Sequence, residues 1–138
     1  MFVTLDSSII IAALRIQEEK HYQCRLILEQ LKNGQHIAIE PYIVLVEVVS
    51  AIKRRTNSQH LALQVKESLL SMDTLNFVEL ESERADSASE ISAQTGLRGM
   101  DAIIVQIAQE FDSFLVTLDN EMIAKVGQVA KLKSVDEF

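Results

Sequence analysis

This chain of 138 residues has one cysteine, one proline and no tryptophan, and arginine and lysine are outnumbered by acids. Each shortage excludes something. Cys24 has no partner for an internal disulfide, which points to a reducing compartment. No apolar run approaches the roughly 20 residues needed to span a bilayer; the longest lie near Tyr42–Val49 and Ala102–Ala108. The apolar N-terminus is interrupted by Asp6 and has no basic segment before it, so a secretory signal is not expected. A cytoplasmic protein with no membrane role is the expectation. Repeats, low-complexity tracts and internal linkers are missing too, leaving one domain over residues 1–138. His21, His36, His60 and Cys24 show no zinc-ligand spacing.

Positive charge is short as well: 13 Lys and Arg stand against 20 Asp and Glu, a net charge of −7. Phosphate binding normally draws on Lys and Arg, so this balance speaks against a nucleic-acid partner. Two divalent cations held by carboxylates would offset more than half of it and place positive charge where phosphate docks. The distribution of charge therefore matters more than its sum. What the chain does have is an ordinary globular composition, 48% hydrophobic and 24% charged, which argues against disorder.

The pattern of residues alternates between strand and helix. Phe2–Leu5 reads as a first strand ending at Asp6, and Ser7-Ser8 opens a short helix over Ile9–Leu14, capped by Asp6 or Ser7. Tyr22–Asn33 is an amphipathic helix that stops at Asn33-Gly34. Ile37–Ile39 is a second strand, and Pro41 suits the first position of a helix running to Arg55. Ser58–Met72 is helical, Asn76–Leu80 a third strand, and Ser82–Thr95 a polar helix ending at Gly96. Met100–Phe111 is a strongly apolar helix, Ser113–Leu118 a fourth strand, Glu121–Val126 a short helix, and Lys131–Val135 a final strand. This alternation predicts a three-layer α/β/α fold with a mainly parallel sheet of four or five strands.

In such sheets ligands bind beyond the carboxyl ends of the strands. Asp6 and Asp119 end the first and fourth strands, and Asp101 opens the helix that feeds the fourth. Taken singly, each has a plain structural reading: Asp6 as a helix cap, Asp101 as a helix-dipole partner, Asp119 as a turn or cap residue. Glu47 differs. It sits in Ile-Val-Leu-Val-Glu-Val-Val, with no Lys or Arg one turn away, and a carboxylate on so apolar a helix needs a cation or a distant partner. Four converging carboxylates would repel one another unless divalent cations held them together. Oxygen-only ligands favour Mg²⁺ or Mn²⁺. Such a site suits phosphodiester hydrolysis. Thr117 shares a strand face with Asp119 and is placed to orient it. The basic run Lys53-Arg54-Arg55 reads as a solvated helix end, and Arg98 as the better phosphate contact.

The four acids also fall in motifs that resemble those of PIN domains. Asp6-Ser7-Ser8 after an apolar strand resembles their opening, and Pro41-Tyr42-Ile43-Val44-Leu45-Val46-Glu47-Val48 their second motif. Leu97-Arg98-Gly99-Met100-Asp101-Ala102-Ile103-Ile104 is similar to the third, and Val116-Thr117-Leu118-Asp119 to the fourth. Their order and spacing resemble VapC-type toxins of toxin–antitoxin pairs. The resemblance implies a metal-dependent endoribonuclease acting on RNA. It implies Asp6, Glu47, Asp101 and Asp119 as metal ligands and catalytic residues, with Ser7 and Thr117 in support. It also implies a homodimer silenced by a cognate antitoxin. Two rivals stand beside it. A phosphoacceptor receiver domain would carry a paired acid at the first strand, where only Asp6 is found; a catalytically silent PIN-like module would serve protein binding alone.

Overall fold

The computed structural model describes all 138 residues. Its sheet is parallel throughout, with five strands: β1 (Phe2–Leu5), β2 (Ile37–Pro41), β3 (Leu75–Val78), β4 (Phe114–Val116) and β5 (Lys131–Leu132) in the order β3-β2-β1-β4-β5. Seven α-helices connect them: α1 (Ser7–Leu14), α2 (His21–Lys32), α3 (Tyr42–Thr56), α4 (Gln59–Leu70), α5 (Ser82–Thr95), α6 (Gly99–Glu110) and α7 (Asn120–Val126). Chain direction across the sheet reverses at β1, which pairs with β2 on one side and β4 on the other. Right-handed crossovers then put α1–α4 on one face and α5–α7 on the other. The three-layer parallel architecture is the one the sequence pattern predicts.

A sheet covered on both faces must be apolar on both, and it is: Val3, Leu5, Ala38, Leu115 and Val116 are all buried. The helices contribute the rest of one continuous core, with Ile9 and Ile10 from α1, Ile27 and Leu31 from α2, Val44 and Val48 from α3, and Ile104 from α6. No helix is long and apolar enough to cross a membrane.

Element ends depart from the sequence pattern where side chains intervene. Pro41 closes β2 in an extended conformation, φ −72° and ψ 148°, and is the cap residue before α3 rather than its first helical residue. The fourth strand is shorter than Ser113–Leu118, because Ser113 bonds sideways to Thr4, Oγ to Oγ1 at 2.6 Å, and Thr117 turns toward Asp6. The final strand keeps only Lys131–Leu132, and Val135–Glu137 forms a 3₁₀ turn. Gly96 ends α5 in the left-handed region at φ 75°, which turns the chain into the segment carrying Arg98 and Asp101.

Candidate active site

Beyond the carboxyl ends of β1 and β4, at the point where the strand order reverses, lies a cleft of about 470 Å³. Asp6, Glu47, Asp101 and Asp119 all line it, so four acids spread over 114 residues of chain open onto one space. Ser7, Ser8, Arg55 and Arg98 share its wall with them.

Asp6 follows β1 directly and is almost fully buried. It occupies the cap position of α1, yet its side chain makes no capping bond. Its Oδ2 instead accepts from Thr117 Oγ1 and from Ser8 Oγ, each at 2.8 Å. Both hydroxyls are tied onward: Ser8 Oγ accepts from Leu118 N at 3.2 Å, and Thr117 Oγ1 from Asp119 N at 3.0 Å. The two hydroxyls therefore lock the end of β1 to the segment after β4. Thr117 orients Asp6 through its hydroxyl, and meets Asp119 only at the backbone. Asp119 realises its plain reading, because Oδ1 caps α7 by accepting from Glu121 N at 2.8 Å and Met122 N at 3.4 Å; Asp101 keeps its own in the first turn of α6.

Glu47 projects from α3 half-buried, and its Oε1 is shielded from solvent without a hydrogen-bond partner. Burial pushes its pKa above the ordinary value; the charges of Asp6 and Asp101 push the same way, and the Ser7 side chain partly opposes them. Asp101, in the first turn of α6, is raised for the same reasons, burial first and then Asp6 and Asp119, with Arg98 working against them. The acids thus feel one another across the cleft.

One acid escaped the sequence reading altogether. Glu40, in β2, is fully buried. The β1–β2 register runs through Phe2↔Ile37 and Val3↔Ala38, and past it side chains take over: Thr4 Oγ1 donates to Ile39 O at 2.9 Å, and Leu5 N donates to Glu40 Oε1 at 2.6 Å. Glu40 Oε2 has no partner. Burial drives its pKa well above the usual carboxylate range, and the charge of Asp6 adds to this against the Leu5 hydrogen bond. Its only sequence signal is an acid in a strand so short that an exposed edge was equally plausible. Glu18 carries no signal in the sequence, Arg55 reads there as part of a solvated helix end, and Ser8 reads only as part of the Asp6-Ser7-Ser8 opening; Ser8 sits two residues from a predicted ligand, which is the available clue.

No group of three or more His, Cys, Asp or Glu side chains is close enough to enclose an ion by itself. Mg²⁺ usually keeps several waters and is held by one or two carboxylates. An all-oxygen donor set with an orphaned, buried carboxylate oxygen on Glu47 fits a hydrated hard cation.

An all-parallel α/β sheet with an acid-lined cleft at its switch point is the arrangement that the chain presents. The sequence matches the PIN domain family over residues 3–128, and the chain belongs to that family. No curated protein sequence matches it. Among solved structures, it resembles the VapC20 toxin of Mycobacterium tuberculosis, described as cleaving the sarcin–ricin loop, with a TM-score of 0.75 at 12% identity over 96% of this chain and 99% of that one. It also resembles DNA-bound VapBC of Salmonella typhimurium, TM-score 0.72 at 16% identity over 97% of each chain. A third is VapBC2 of Rickettsia felis on a promoter fragment, TM-score 0.69 at 17% identity over 97% and 98% of the two chains. At these identities the likeness is one of fold.

Proposed function

We propose that this PIN domain protein is a Mg²⁺- or Mn²⁺-dependent endoribonuclease, the toxin of a toxin–antitoxin pair, acting in the cytoplasm as a homodimer and silenced by a cognate antitoxin. The observation that carries the nuclease reading is the convergence of Asp6, Glu47, Asp101 and Asp119 on one cleft. The VapC and VapBC neighbours support the toxin and antitoxin assignments.

Asp6, fixed by two hydroxyls, is the rigid member of the set, and Glu47 faces it with an oxygen free to bind. Asp101 and Asp119 line the same cleft, and Arg98, whose charge acts on Asp101, is our candidate contact for a phosphate oxygen of RNA. A cation bound there supplies Lewis acidity, which acidifies water and offsets charge on the phosphodiester. Among the residues of the chain, the carboxylates would hold the cation and Arg98 would draw in the anionic substrate.

The test pairs two measurements on wild type and Asp101→Asn. Incubation with structured RNAs should give Mn²⁺-dependent cleavage that the variant loses. Thermal unfolding in EDTA should show the variant at least as stable, because a repelled, half-buried charge has been removed. Unchanged cleavage by Asp101→Asn would remove that residue from the mechanism. No cleavage by wild type would favour the silent binding module instead.

A further inference from the structure

Resting on the nuclease reading, we propose that Arg55 is a phosphate-binding residue for RNA and that Glu18 is a built-in stand-in for that phosphate, displaced when substrate docks. Both residues line the same cleft as the four acids. Arg55 lies in the last turn of α3, eight residues beyond Glu47, and Glu18 lies in the connection between α1 and α2. Arg55 Nη1 donates to Glu18 Oε1 at 2.7 Å, across 37 residues of chain. Arg15 Nε stands 4.0 Å from the same oxygen, and it is buried with no hydrogen-bond acceptor of its own.

The chemistry of the contact is what a phosphodiester would offer: an anionic oxygen at charge-assisted hydrogen-bond distance from a guanidinium. In a cleft otherwise dominated by carboxylates, the arginines are what can attract a phosphate, and one of the two on its wall is already engaged by an acid. The engagement is weak. Both side chains are partly exposed, 44% for Arg55 and 37% for Glu18, and ion pairs of that kind are easily exchanged. Glu18 also lines the neighbouring cleft of about 670 Å³, where Lys20 and Lys133 stand among Glu19, Asp136 and Glu137. It is thus shared by both clefts. Swinging Glu18 aside frees Arg55 and removes a like charge from its side.

An ion pair that merely fastens the α1–α2 connection to α3 would let each substitution act on RNA binding through its own charge, so that the two effects add in the double variant. A stand-in makes the gain from Glu18→Gln depend on Arg55. The experiment measures binding of a short, fluorescein-labelled, single-stranded RNA by anisotropy, in EDTA and low salt, so that no cleavage occurs. Full-length wild type, Glu18→Gln, Arg55→Gln, Arg55→Lys and the Glu18→Gln/Arg55→Gln double variant are compared. Glu18→Gln should bind about three- to tenfold more tightly and Arg55→Gln about three- to tenfold more weakly. Arg55→Lys should recover part of that loss, since it restores the charge without the planar fork. The double variant should follow Arg55→Gln. The slope of log affinity against log salt should become shallower by about 0.7 in Arg55→Gln, as for one lost contact to a single strand.

Changes of the same sign in Glu18→Gln and Arg55→Gln would overturn the proposal, as would additive effects in the double variant, or no binding by either wild type or Glu18→Gln. Thermal unfolding of each variant identifies any that fails to fold, and Arg55→Lys then carries the comparison. The nuclease reading fails separately: the expected binding series without Mn²⁺-dependent cleavage defeats that reading alone, and cleavage with an unchanged series defeats the stand-in alone.

Discussion

Glu40 and Glu47 both carry a buried carboxylate oxygen with no hydrogen-bond partner, yet they occupy different positions in the chemistry. Glu47 opens onto the cleft and can be satisfied by a cation. Glu40 lies inside the sheet, joined only to Leu5 N, and the cheaper course for it is to stay protonated. Its folded pKa is raised above the ordinary 4.5, so its cost is absent below that value and grows as pH rises toward the folded value. Each pH unit in that window lowers stability by about 1.4 kcal/mol. Glu40→Gln keeps an acceptor for Leu5 N and cannot ionise. Its unfolding free energy, relative to wild type, should therefore improve as pH rises above 4.5, until the folded carboxyl itself ionises, as followed by urea denaturation. A difference that stays constant with pH would show that Glu40 ionises in the folded protein as readily as in the unfolded chain.

At the level of elements, Asp119 serves two masters, since the carboxylate that faces the cleft also caps α7. The roles separate by substitution. Asn remains a good cap, so Asp119→Asn should leave thermal stability in EDTA nearly unchanged while weakening Mn²⁺-dependent cleavage. Asp119→Ala should lose cleavage and, in addition, about 1 kcal/mol of stability. Equal stability losses in both variants would show that charge, not capping, is what α7 needs. This double use explains how much of the site was readable in the sequence. Asp6 and Asp119 announce themselves by ending strands, and Glu47 by interrupting an apolar helix. The amphipathic helices such as α2 followed from periodicity, because each buries one apolar face, and the buried strands from short apolar runs bounded by turn signals. Glu18, Glu40 and Arg55 were not legible, since their significance comes from partners 35 or 37 residues away, and local pattern carries no record of those. Strand ends were misjudged for a related reason: Thr117 belongs to β4 by propensity, and a side-chain bond to Asp6 draws it away.

Over the whole molecule, the surface retains several large apolar side chains, which the proposed homodimer could cover. Ile16 is 69% exposed, Tyr22 75% and Val46 60%. A standard interface hides about 800 Å² per partner, close to a tenth of the 7395 Å² of accessible surface. Sedimentation equilibrium at micromolar concentration should give twice the chain mass, and Val46→Glu or Tyr22→Glu should shift it toward the monomer. A monomer in wild type would leave those side chains for another partner.

The lock between Asp6 and Thr117 has a consequence in time as well as in space. Its two halves are 111 residues apart, so a chain emerging from the ribosome carries the first acid long before the last exists to meet it. Closing a parallel sheet from both ends of the sequence is slow, because the intervening loop must be ordered first. Until β4 has been made and inserted beside β1, no truncated or half-synthesised chain holds a complete set of acids. A nuclease of the kind proposed would thus be harmless while it is being made, and its interval of innocence would be set by the order of its strands.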